Sequence, residues 1–166
     1  MSAGVGGEPP VQGEVPYEEA PAIVVERYKY ILNQIHAVNE NVYRFFAIFQ
    51  ALATAMVTAG LGLFVGYSKW GISADTARTG VRGVLVLTTA VAAFTVLMVV
   101  VGVLSWLDYR REECELTEKY FVAGFRTRPR LRNFYRWYET YIVVFIVAIT
   151  GVLWILGESI LVARIK

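Results

Sequence analysis

The sequence predicts an all-α integral membrane protein with three transmembrane helices and with helices extended into the cytoplasm. Its composition is the first sign. Hydrophobic residues make up 56% of the chain and charged residues only 18%, against roughly 25% charged in an average soluble domain. Distribution is the second. The apolar excess lies in three uncharged runs, Phe45 to Tyr67, Gly83 to Leu107 and Thr140 to Gly157, the last resuming after Glu158 as far as Ala163. Each approaches or exceeds the roughly 20 residues a helix needs to cross a bilayer.

Residues 1–21, rich in Gly, Pro and Glu, read as a disordered acidic N-terminal tail, because they cannot bury enough apolar surface to fold alone. They lack a basic start followed by an apolar stretch, so they do not read as a cleavable signal peptide. The remainder, 22–166, is expected to form one membrane domain.

Within it, residues 22–44 predict a cytoplasmic amphipathic helix continuous with the first span, 45–67. Val24, Tyr28, Ile31, Ile35, Val38, Val42, Phe45 and Phe49 alternate in steps of four and three, the coiled-coil seam of a helix that packs on another helix. No Gly or Pro interrupts the pattern before the apolar run. The partner of the seam is either the other cytoplasmic helices or a second copy of the chain. Within the span, Ala51, Ala55, Thr58, Ala59, Gly62 and Gly66 form a stripe of small residues. Such residues let membrane helices approach closely, where lipid gives them little other reason to associate. At about 100° per residue the stripe lies roughly 110° around the helix from the seam. Two contact faces are therefore expected, marked by Ile31, Ile35, Val38 and Val42 on one side and by Ala51, Ala55, Ala59, Gly62 and Gly66 on the other. The stripe serves either packing within one subunit or contact between subunits.

Residues 68–82 are expected to form an outer loop, 83–107 the second span, 108–139 a basic cytoplasmic helical hairpin, and 140–163 the third span. The second span reads on into the hairpin, because Trp106, Tyr109, Glu113, Leu116 and Tyr120 keep helical spacing. Gly124 to Pro129 would end that helix, and another would start near Leu131. The run Glu112, Glu113, Glu115 and Glu118 reads as a solvated helix face, and Cys114 as a free thiol beside it.

Orientation follows from Lys and Arg, which short cytoplasmic loops retain. Arg27, Lys29 and Arg44 share a side with Arg110, Arg111, Lys119, Arg126, Arg128, Arg130, Arg132 and Arg136. Fewer basic residues lie opposite: Lys69, Arg78, Arg82, Arg164 and Lys166. The bias predicts a multi-pass protein of the plasma (inner) membrane, with its N-terminus in the cytoplasm and its C-terminus outside. Arg126, Arg128, Arg130, Arg132 and Arg136 alternate with aromatics in a way that in a soluble chain would suggest nucleic acid. Beside a span they read as contacts to an anionic inner leaflet, where each basic residue contributes about 1 kcal/mol. The rings, Trp106 and Trp137 among them, read as an interfacial belt, and no nucleic-acid partner is expected.

Glu158 is the one ionisable residue at membrane depth, near the outer end of the third span, where it can meet interfacial water or pair with Arg82. The sequence holds no phosphate-cradling Gly loop, no zinc helix and no nucleophile with an adjacent base, and it has one His and one Cys. No enzyme activity, cofactor or metal is expected. The reading that remains is a structural or adaptor subunit that anchors a partner protein or assembles with itself through membrane and cytoplasmic helices. The alternative is an oligomeric membrane effector or pore former. In outline that alternative is similar to the small multi-span effectors of prokaryotic defence systems, a likeness of architecture that no motif carries.

Overall fold

The computed structural model describes residues 22–120, 124, 126–129 and 131–166, the side chains of 131–133 excepted. The tail expected over 1–21, Arg130 and the side chain of Arg132 lie outside the described residues. Among those residues every regular element is helical: α1 (Ala22–Gly66), α2 (Ala74–Tyr120), a 3₁₀ turn (Leu131–Arg136), α3 (Tyr138–Leu156) and a π-helical turn (Gly157–Val162). Three helices are long and apolar enough to cross a membrane: α1, α2, and α3 with its π-helical continuation.

At 45 and 47 residues, α1 and α2 are each roughly 70 Å long, about twice the thickness of a bilayer's hydrocarbon core. They form an antiparallel hairpin with an apolar half next to its turn and a charged half at its open end. The 25 residues from Tyr138 to Val162 pack along the apolar half, Ile146 against Phe49 and Ala92 and Val162 against Ala77 and Val81.

The turn is fixed locally. The Trp70 N–H donates to the Gly66 carbonyl at 3.0 Å and the Ile72 N–H to the Tyr67 carbonyl at 3.0 Å. Gly71 takes φ +67°, a left-handed conformation that other residues adopt only at a cost. Ser73 then caps α2, its Oγ accepting from the Thr76 N–H at 3.2 Å, with Asp75 in the first turn favoured by the helix dipole. The expected loop over 68–82 therefore shrinks, and Arg78 and Arg82 stand on a helix.

The seam of α1 packs against α2 of the same chain. Val24, Ile31, Val42 and Phe49 are buried, and a Cβ placed on Gly102 of α2 would stand 3.1 Å from Val42. Towards the turn, the same test at Gly80 meets Leu63 at 2.5 Å. α3 reaches the hairpin through Ile146, which clusters with Phe49 and Ala92. Aromatic rings join α3 to α1: Tyr43 stacks on Tyr138 with centroids 5.3 Å apart, and Phe46 meets Phe145 edge-on. The helix expected from Leu131 is a six-residue 3₁₀ turn. Trp137 is extended (φ −86°, ψ 134°), which separates that turn from α3, and the Thr140 hydroxyl donates back across the break to the Phe134 carbonyl at 2.6 Å.

Candidate functional site

The two faces expected on α1 are used differently. Ile31 and Val42 are buried and Ile35 and Val38 half-buried against α2, so the seam is taken up within the chain. Ala51, Ala55, Ala59 and Gly62 are exposed, and a Cβ added to Gly62 meets nothing within 4 Å. Gly66 parts company with them. It is buried under the Trp70 ring, which a Cβ there would approach to 2.5 Å, so its small size serves the turn. The glycines that bring helices together are others: Gly80 and Gly102 between α1 and α2, and Gly157, whose Cβ would lie 2.7 Å from Leu85. Their isolation in the sequence gave no stripe from which to find them.

At the charged end the structure corrects the reading of the acidic run as a solvated face. Glu113 is 0% exposed. Arg110, one turn earlier, hydrogen-bonds Glu113 Oε2, and Arg126 Nε stands 3.2 Å from Oε1. Oε1 accepts no hydrogen bond among the described residues, so the approach of Arg126 is an ion pair without hydrogen-bond geometry. Glu112 takes Arg27 of α1, whose Nε donates at 2.8 Å, and Glu118 takes Arg128 at 3.0 Å. Arg126 and Arg128 are thus paired with α2. The physical reason for the correction is that tertiary packing encloses the Glu113 side of α2 and brings Arg126 back to it, which the acidic run alone does not reveal. Cys114, read as a free thiol, is a free thiol and is buried; burial pushes its pKa up, and the Glu113 carboxylate adds to the shift.

Arg136, by contrast, is exposed with no hydrogen-bond or ion-pair partner among the described residues. It borders a cavity of about 290 Å³ together with Asn39, Trp106, Trp137 and Glu139. The two indoles meet edge to face at 5.7 Å, and the Arg110 guanidinium lies 5.6 Å from the Trp106 ring centre.

At the turn end, Arg82 holds Glu158 with two bonds, Nε to Oε1 at 2.9 Å and Nη2 to Oε2 at 3.1 Å. Glu158 sits in the π-helical turn, an element with no signature in the sequence. Arg78 donates to the Ile165 carbonyl at 3.1 and 2.7 Å, tying down the end of that segment. Trp154 Nε1 donates to Thr89 Oγ1 at 2.8 Å, and the Thr88 hydroxyl points at Met56 Sδ at 3.2 Å. Beside them an apolar cavity of about 310 Å³ opens between the helices, lined by Met56, Gly60, Val81, Leu85, Leu153 and Ile160 among others.

Among the described residues no three His, Cys, Asp or Glu side chains gather as metal ligands do. What the arrangement offers is contact: an open small-residue face, a charged clasp, and a largely apolar cavity bordered by two indoles, Arg136 and Glu139. Compared with known proteins, the chain matches no family model, no curated protein and no solved structure.

Proposed function

We propose that this is an integral protein of the inner membrane, N-terminus in and C-terminus out, acting as a structural or adaptor subunit that assembles with itself through the first span. The membrane reading is supported by how little of the apolar surface the fold covers. Only 11% of the most apolar window is buried in α1, 28% in α2 and 11% in α3, and Val65, Phe94, Leu97, Val147 and Ile155 are each more than half exposed. A water-soluble monomer seldom exposes more than a few hundred Å² of contiguous apolar surface.

One observation carries the assembly reading: Ala51, Ala55, Ala59 and Gly62 face outwards while the seam is already occupied. Small residues gain most when another backbone comes close, and no helix of the same chain does so here. Light scattering on the detergent-solubilised protein, corrected for bound detergent, tests it. A defined oligomer that Ala59→Leu with Gly62→Leu reduces to monomer is the expected outcome. A monomeric native chain removes self-assembly and turns the search to a different protein partner.

A second reading, an oligomeric effector or pore former, draws on Gln50, Thr54 and Thr58. They are exposed on α1 beside the small residues, and the Gln50 amide has no partner among the described residues. Copies meeting at this face would bring these polar groups together. Ion leakage from liposomes, abolished by Gln50→Leu, would favour this reading; tight liposomes would leave the structural one.

A further inference from the structure

We infer that the cavity between Trp106 and Trp137 is a binding site for a zwitterionic phospholipid headgroup, one carrying both a phosphate and an ammonium, drawn from the inner leaflet. The inference rests on the membrane orientation proposed above and adds a ligand to it. Three observations lead there, and the first is an excess of donors. Asn39, Trp106, Arg136 and Trp137 border one cavity of about 290 Å³. Among the described residues none of their side-chain N–H groups has a hydrogen-bond acceptor. Trp137 also precedes the first residue of α3 and gives it no side-chain cap, so the positive end of the helix dipole lies at the cavity with Glu139 in its first turn. Donors in this number suit an acceptor-rich anion such as a phosphodiester, which a guanidinium can meet with paired hydrogen bonds.

The second observation is that the cavity also carries a carboxylate. Glu139 lines it three residues after Arg136, and no ion pair joins the two. A plain anion gains nothing from Glu139, and a plain cation gains nothing from Arg136. A headgroup with both charges satisfies both, its ammonium resting between the carboxylate and an indole face.

Position is the third. The site lies where α3 begins and where α2 passes from apolar to charged sequence, between Val103 and Asp108. Tryptophans prefer the headgroup level of a membrane, so both indoles stand where lipid phosphates are found. The volume is at the small end of ligand sites. It admits a headgroup and leaves acyl chains outside, against the exposed apolar helices.

Native mass spectrometry of the full chain in mild detergent, offered equal amounts of phosphatidylethanolamine and phosphatidylglycerol, tests the assignment. The native chain is expected to retain phosphatidylethanolamine in several-fold excess. Arg136→Ala should lower retention of both lipids several-fold. Glu139→Gln should abolish the preference while keeping total retention, and Trp137→Phe, which keeps an aromatic ring of smaller size and removes the N–H, should weaken retention. Equal retention of the two lipids by the native chain, or variants that behave as native, would overturn the inference. Glycerophosphoethanolamine separates the sources: if the soluble headgroup displaces the lipid at equal concentration, the ligand is a free solute and the lipid assignment fails. A native chain that fractionates with soluble protein would instead defeat the membrane reading itself.

Discussion

The two ends of the α1–α2 hairpin are held by charges, yet the charges do different things. At the open end Glu113 is wholly enclosed and shared by Arg110 and Arg126. At the turn end Arg82 and Glu158 pair at 2.9 Å with side chains 57% and 39% exposed, while packing falls to Ala77, Val81, Val162 and Ile165. The lesson concerns solvent. An exposed pair exchanges one solvated state for another and decides little. An enclosed carboxylate has already lost its water, so its arginines become a condition of the fold.

That contrast predicts a graded series. Arg110→Met should be the most damaging single change, costing about 3 kcal/mol, because it strands a buried carboxylate beside the one remaining arginine. Glu113→Leu in the same chain should restore most of the loss, since the partly exposed Arg126 can turn to water. Chemical unfolding of the single and double variants in detergent gives the coupling, and additive losses would break the contrast. At the other end Ile165→Ala should cost about 2 kcal/mol through the cavity it leaves, a packing loss with no electrostatic counterpart.

Cys114 reports on the enclosed end without contributing much to it. Alkylation should be slow in the native chain and several-fold faster in Arg110→Met; equal rates would mean that the enclosure does not depend on the arginine. Because burial raises the thiol's pKa, the folded state holds this proton more tightly than the unfolded chain does. Its contribution is present below the ordinary thiol range and is lost as the pH rises through the folded value. Cys114→Ala should therefore flatten the decline of stability in alkaline solution. The smallest effect is expected for Arg82→Gln, whose unfolding midpoint should match the native one; a clear drop would show that the exposed pair matters as much as the enclosed one.

Much of the frame was legible. Three long uncharged runs required helices able to cross a membrane, and the four-three seam over 22–49 marked a packing face on α1. Other features were not legible, each for a physical reason. Glu113 looks like its neighbours Glu112 and Glu115, because burial depends on which helix lies across from a residue and not on the residue. Gly62 and Gly66 share one motif, yet Gly66 lies under Trp70, and only the path of the turn places that ring there. The π-helical turn at Gly157–Val162 follows from no local preference in the sequence.

The sequence by itself determined that three long helices form and the apolar section they share, because those depend on composition and period along a single chain. Only the tertiary structure decided which face of α1 is spent on α2 and which stays open, which of four neighbouring carboxylates is sealed from water, and that Arg136 and Glu139 border one cavity without pairing with each other. These are relations between distant residues, set by how helices approach one another, and no stretch of the chain contains them.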